Sequence, residues 1–192
     1  MGRDNETVSD RRLVEAALRD PNAYAALIAR YEAILGRYVR RLLGPHLQAA
    51  DDVLQEIFIK AYVNLNDFDR VRPFAPWIYR IAHNEAMSFL RKSRAGPPLV
   101  SAEDAKLILD NLADPDDPAQ ALWRSEAMAT LNRDLAGLDR RYREVLVLRY
   151  LEEKSYDEIA DILALPPGTV ATYISRGLKQ LRQPNTVSGV GP

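Results

Sequence analysis

Apolar residues along this chain recur at the three-and-four spacing of amphipathic helices, and no stretch alternates convincingly with the two-residue period of a strand. The clearest run is Asn22 to Leu43. There Tyr24, Leu27, Ile28, Tyr31, Ile34, Leu35, Tyr38, Val39 and Leu42 hold one face until Gly44-Pro45 stops the helix. A shorter helix, DRRLVEAALRD, precedes it and is closed by Asp20-Pro21. The next opens at Asp51-Asp52, with Gln55 spaced to complete a capping box from Asp52, and turns Val53, Leu54, Ile57, Phe58, Ala61 and Leu65 inward. After a polar break at residues 66–73, FAPWIYRIAHNEAMSFLRK buries one side, with Phe74, Trp77, Ile78, Ile81, Ala82, Phe89 and Leu90 mostly inward.

From Ser93 to Pro118 the periodicity fades into proline-broken, acidic sequence, with one short helix expected around Glu103 to Leu112. Helical spacing resumes near Ala119, breaks at Gly137, and returns over Asp139 to Leu151, DRRYREVLVLRYL. The stretch SYDEIADILALPPGTVATYISRGLKQLR then spells two short helices around a tight turn. Ser155 and Glu158 are spaced as a capping box, Ala164-Leu165-Pro166 forms the turn, and Val170, Ile174, Leu178 and Leu181 line the inner face of the second helix. Thr169, Thr172, Arg176, Lys179 and Arg182 are left on a polar, partly basic face that fits a DNA groove. Paired amphipathic helices of this kind also occur in proteins that never touch nucleic acid. The expected fold is all-α: two small helical domains joined by an acidic flexible linker, the C-terminal one containing a helix-turn-helix. Its expected boundaries are 1–93, a linker over 94–118, 119–183, and a disordered tail over 184–192.

Charge changes this picture by its distribution. The net charge is only −1, yet residues 93–125 carry three basic against six acidic side chains, whereas residues 1–92 carry fourteen against twelve and residues 126–192 nine against nine. A near-neutral chain with locally basic faces is expected to bind DNA modestly alone and to depend on a larger partner. No apolar run approaches a membrane span and MGRDNETVSDRR lacks a signal-type apolar core, so no membrane insertion is expected and the expected location is the cytoplasm. The absence of cysteine removes disulfides, thiolate catalysis and cysteine zinc sites.

Catalytic patterns are wanting. His83-Asn84-Glu85 is not a zinc-protease motif, there is no phosphate-binding glycine loop or nucleophile elbow, and Asp51, Asp52 and Glu56 lack a second carboxylate cluster to share a metal. The chain is therefore read as no enzyme, with no cofactor and no metal. Two faces instead suggest binding. Asp51, Asp52, Gln55, Glu56 and Ile59 border an acidic surface with an apolar fringe. It reads either as a solvated helix start or as a dock for a basic partner. On the following helix Arg80, Asn84, Arg91 and Lys92 lie among Trp77 and Tyr79, a mixture that suits single-stranded nucleic acid, although Trp77 by itself fits a core position equally well.

These motifs together resemble the extracytoplasmic-function (ECF) class of bacterial sigma factors, the two-domain initiation subunits of RNA polymerase. DDVLQEIFIKAYVNL is similar to the polymerase-docking helix of that class, PFAPWIYRIAHNEAMSFLRK to its promoter-melting helix, and the stretch from Leu138 to Arg182 to its C-terminal helix-turn-helix. The resemblance implies that Asp51, Asp52, Gln55, Glu56 and Ile59 face the beta-prime clamp helices of core RNA polymerase. It implies that Phe68, Arg70, Arg72, Trp77, Arg80, Asn84, Arg91 and Lys92 engage and open the minus-10 element of promoter DNA, capturing an extruded base. Pro167, Gly168, Thr169, Ala171, Thr172, Tyr173, Arg176, Lys179 and Arg182 would meet the minus-35 element, and an anti-sigma factor would hold the chain inactive. The alternatives are a helix-turn-helix regulator or a protein-docking adaptor that is not a sigma subunit. Departures from the family pattern include Ala164 where the turn commonly has glycine, Ala171, Tyr173 and Ser175 in the recognition helix, and His83, expected on the surface.

Overall fold

The computed structural model describes residues 9–93 and 138–182, apart from the side chains of Pro45, Leu181 and Arg182. The chain divides near residue 96 into two compact units, and no strand occurs among the described residues. The helices expected over 103–112 and from Ala119 to Leu135 lie outside the described residues.

The first unit holds α1 (Asp10–Arg19), α2 (Tyr24–Leu43), α3 (Ala50–Val63) and α4 (Phe74–Lys92). The expected start of α2 at Asn22 is instead a 3₁₀ turn, Pro21–Ala23, because the Asp20 carboxylate accepts the Asn22 N–H at 2.9 Å and Pro21 fits the first turn. Gly44, at φ 55°, ends α2 in a conformation that a β-carbon would strain. A second 3₁₀ turn, Gly44–Ala49, then runs directly into α3. Asp51 and Asp52 consequently sit inside the first turn and no side chain caps the helix, so the Asp52–Gln55 capping box does not form. Their charges still favour the positive end of the helix dipole.

α2 and α4 run parallel. Tyr31 meets Phe74 at 5.4 Å between ring centroids, Tyr38 meets Tyr79 at 5.1 Å, and His46, just past α2, meets Phe89 at 5.9 Å. α3 packs against both, and Ile57 and Ala61 of α3 are buried completely, as are Leu35 and Val39 of α2 and Ile78 and Ala82 of α4. His83 is corrected by this packing. It stands one turn after Tyr79 on the side of α4 that faces α2, is only 8% exposed, and places Nδ1 3.2 Å from the Tyr38 hydroxyl. Burial of the imidazole is tolerated because it is hydrogen-bonded. α1 is fastened at the N-terminal end of the bundle, where Asp10 accepts from Arg30 at 2.6 Å and from the Tyr31 hydroxyl.

The second unit holds α5 (Arg140–Leu146), α6 (Tyr156–Leu163) and α7 (Pro167–Arg182). The single helix expected from Asp139 to Leu151 is α-helical only to Leu146 and widens to π winding over Val147–Leu151. Glu152 N–H bonds Val147 O and Lys154 N–H bonds Leu148 O, a terminus that Glu153 closes at φ 53°. The capping box of α6 forms in both directions: Ser155 N–H to the Glu158 carboxylate at 2.8 Å, and Glu158 N–H to Ser155 Oγ at 3.2 Å.

The turn between α6 and α7 holds Ala164 at φ 53°. A left-handed alanine costs roughly 1–2 kcal/mol, of which glycine would return about half after its own chain-entropy cost. Ala164→Gly is therefore expected to stabilise the second unit by about 0.5–1 kcal/mol, read as a higher denaturation midpoint for the variant chain. An unchanged or lower midpoint would refute strain at this turn.

Candidate functional site

Three surfaces bring the expected residues together. On the first, Asp51, Asp52, Gln55, Glu56 and Ile59 are all exposed along α3. Asp51, Gln55 and Ile59 border a groove of about 470 Å³ between α2 and α3, walled by Tyr24, Ile28, Leu54, Phe58, Ile59 and Tyr62 and rimmed by Glu32, Asp51 and Gln55; Asp52 and Glu56 do not line it. The Tyr24 hydroxyl donates to Phe58 O at 2.8 Å and its ring packs on Tyr62 at 5.0 Å, which fixes the wall. Burial pushes the Tyr24 phenol up from its usual pKa, so it stays protonated and keeps that donor. Arg40 reaches Asp51 at 3.0 Å, but both are well exposed, so the pair adds little and leaves the rim acidic. The sequence indicated Asp51, Gln55 and Ile59. It did not indicate Tyr24, Ile28 or Glu32, which α2 contributes from a distant part of the chain, while Tyr62, one turn after Ile59, was legible in principle.

On the second surface, Asp69 shapes the loop into α4 by accepting the Val71 N–H at 3.0 Å while its carbonyl accepts the Arg72 N–H at 3.0 Å. Arg70 and Arg72 are thereby held outward on either side of Val71, which is 92% exposed. Phe68 is buried, and its ring meets Trp77 at 5.1 Å and Phe74 at 5.4 Å, with Phe74 and Trp77 5.3 Å apart. Trp77 is half-buried: one part rests on this aromatic stack and the rest remains accessible. Thus Phe68 is a support beneath the surface, while Trp77 is partly packed on that support and partly exposed. Arg80 is half-buried, and Asn84, Arg91 and Lys92 are exposed farther along α4. A small cleft of about 170 Å³ opens beside the stack, lined by Phe68, Phe74, Arg70, Arg72 and the α1 residues Asp10, Arg11 and Val14.

On the third surface, α7 presents Pro167, Gly168, Ala171, Thr172, Arg176 and Lys179 to solvent, with Thr169 half-buried. The Arg182 side chain lies outside the described residues. Thr172 Oγ1 donates to Gly168 O at 2.8 Å, and Tyr173 is half-buried with its ring 5.7 Å from that of Tyr142. Gly177 sets this orientation. A β-carbon there would lie 2.9 Å from Leu146 Cδ1 and 3.2 Å from Tyr142 Cβ, so any larger residue would push these side chains of α5 aside.

On α5, the helix that packs against α7, lies a buried carboxylate that the sequence did not single out. Glu144 pairs with Arg140 at 3.3 Å, yet its pKa is pushed up to about 7 because burial outweighs the attraction of Arg140 and Arg143. Burial prevails because the Glu144 side chain is 13% exposed whereas that of Arg140 is 63% exposed and screened by water. A carboxyl raised in the folded state opposes folding only when ionised, so stability is complete below its unfolded pKa and is lost as pH rises through about 7. Glu144→Gln is expected to remove this loss, gaining about 2–3 kcal/mol over the parent at pH 8 and almost nothing at pH 4.5. Guanidinium denaturation of both chains at the two pH values measures it, and a gain independent of pH would contradict the titration.

Residues 27–96 match the family Sigma-70 region 2, and residues 131–181 match Sigma-70, region 4. The chain is 34% identical over 182 residues to the ECF RNA polymerase sigma factor SigW of Bacillus subtilis, covering 93% of this chain and 97% of that protein. It is 39% identical over 173 residues to the RNA polymerase sigma-H factor of Pseudomonas aeruginosa, covering 87% and 89%. Among solved structures it is similar to CnrH in complex with the cytosolic domain of CnrY, with a TM-score of 0.66 and 27% identity over 90% of this chain and 94% of that one.

Proposed function

Because the chain belongs to the ECF class of RNA polymerase sigma factors, which direct transcription initiation and leave the bond-forming chemistry to the polymerase, we propose that its surfaces divide promoter recognition among themselves. The acidic-rimmed apolar groove of α2 and α3 docks the basic beta-prime clamp helices of core RNA polymerase. Ile59, Phe58 and Tyr62 supply the buried anchor, and Asp51, Asp52, Gln55 and Glu56 supply the complementary rim. The loop and α4 engage the minus-10 element: Arg70, Arg72, Arg80, Arg91 and Lys92 hold phosphates, Asn84 offers hydrogen bonds to a base, and Trp77, propped by Phe68 and Phe74, stacks on a base taken out of the duplex. Unstacking costs a few kcal/mol, which base-aromatic stacking offsets. α7 lies in the major groove of the minus-35 element, with Arg176, Lys179 and Arg182 on phosphates and the residues from Pro167 to Tyr173 near base edges.

In this reading residues 1–93 and 119–183 form the two working domains, residues 94–118 join them, and the chain acts in the cytoplasm beside the polymerase. CnrH was solved with a protein partner, and an anti-sigma factor is assigned to this chain on the same footing. The observation that carries the reading is the half-buried Trp77 propped on Phe68 and Phe74, two rings that also line a cleft with the exposed Arg70 and Arg72. The test is transcription from a randomised promoter library with core polymerase alone and with core plus this chain. Start sites enriched at a shared pair of upstream elements are the expected result, and no enrichment would overturn it.

A further inference from the structure

α4 is not the sole helix facing the side of the bundle where the minus-10 residues lie. With α2 and α4 parallel, Tyr31 and Tyr38 on α2 point at α4, and Tyr79 and His83 on α4 point back. α3 occupies one side of this pair. It sits close to Gly36, where an added β-carbon would lie 3.6 Å from Leu54 Cδ2, it reaches Arg40 through Asp51, and Lys60 reaches Glu85 of α4 at 2.7 Å. At 100° per residue, Arg37 and Arg41 then fall on the α2 surface turned away from α3, and Arg80, Asn84 and Arg91 fall on the matching surface of α4. α1 covers this side only toward the start of α2, where Asp10 holds Arg30 and Tyr31. Two turns beyond Arg30, Arg37 is exposed and Arg41 half-buried.

The geometry points to a second phosphate track on α2, in which Arg37, backed by Arg41, holds the sugar-phosphate backbone of promoter DNA alongside the bases engaged by α4. The inference rests on the minus-10 reading above. Its occupant is a polyanion because the face offers cations from both helices, Arg37 and Arg41 on one side and Arg80 and Arg91 on the other. The carboxylates of Asp51 and Glu85 are turned to the α3 side by their pairs with Arg40 and Lys60, and Asp10 is engaged by α1's own anchorage. A phosphate contact carries no sequence preference, so Arg37 should set affinity and register and leave base choice to α4.

The experiment uses holoenzyme assembled from core polymerase and the full chain, bound to a minus-10 promoter fragment in which single phosphates are replaced one at a time by neutral methylphosphonates. The parent should lose affinity about 3- to 10-fold at one or two phosphates, and Arg37→Gln should bind the unmodified fragment that much more weakly, be indifferent to those same replacements, and lower the logarithmic salt slope by about one. Arg37→Lys should restore most of the affinity, because a point charge suffices for a phosphate. Equal phosphate sensitivity in Arg37→Gln and the parent, or weaker binding of Arg37→Gln to core polymerase, overturns the second track. Failure of the parent holoenzyme to discriminate minus-10 bases would instead overturn the reading on which it rests.

Discussion

Trp77→Ala is expected to reduce open-complex formation by about 10- to 100-fold while binding to core RNA polymerase stays within about twofold, since a base stacked on an aromatic ring is worth about 1–3 kcal/mol. The reason lies in the division of this one side chain. The ring rests on Phe68 and Phe74 at 5.1 and 5.3 Å, which orients it, and the half-buried side chain keeps part of its surface open to solvent. Alanine removes the platform and leaves Arg70 and Arg72, so closed-complex binding survives and strand opening suffers. Trp77→Phe keeps a stacking face and should recover much of the loss. Permanganate reactivity of promoter thymines reports opening, and a gel-shift competition reports polymerase binding. If both fall together, the ring is serving the core of the unit and not the DNA.

Replacing Ile59 with lysine should weaken association with core polymerase by about 30-fold or more, the effect expected when a central interface anchor is lost. Ile59 is 48% exposed in the wall of the α2–α3 groove that also holds Phe58 and Tyr62. The substitution removes an apolar anchor and sets a cation against a basic partner, while the exposed position spares the melting temperature. Titration of labelled chain with core polymerase is the direct measurement. Unchanged affinity together with unchanged stability would move the docking surface elsewhere.

Much of this was legible in the linear pattern, for identifiable reasons. The helices are amphipathic with strong periodicity, so their existence and type followed from spacing, and Ser155 with Glu158 forms the reciprocal cap that their separation implies. The same reasoning failed for Asp52 and Gln55. The chain enters α3 from the 3₁₀ turn Gly44–Ala49, so the helix starts at Ala50 and no capping position is left for Asp52. It also failed for His83, whose polarity suggested solvent but whose place one turn after Tyr79 puts it against the Tyr38 hydroxyl. A polar residue in a helix can be satisfied from a neighbouring element, and nothing in the local sequence announces the donor or acceptor that arrives from elsewhere.

The sequence by itself determined the helical class, the family, the acidic character of the α3 rim and the aromatic-basic character of α4, because each depends on residue type and on spacing within one helix. Tertiary structure decided which of those residues share a surface. Tyr24 and Ile28 become walls of the α3 groove, Phe68 becomes a buried prop for Trp77, and Arg37 turns to the same side as Asn84 and Arg91, only because α2 lies parallel to α4 and against α3. Helix-to-helix packing is set by side chains far apart in the chain, and a pattern that repeats every 3.6 residues reports which face is apolar but not which helix will cover it.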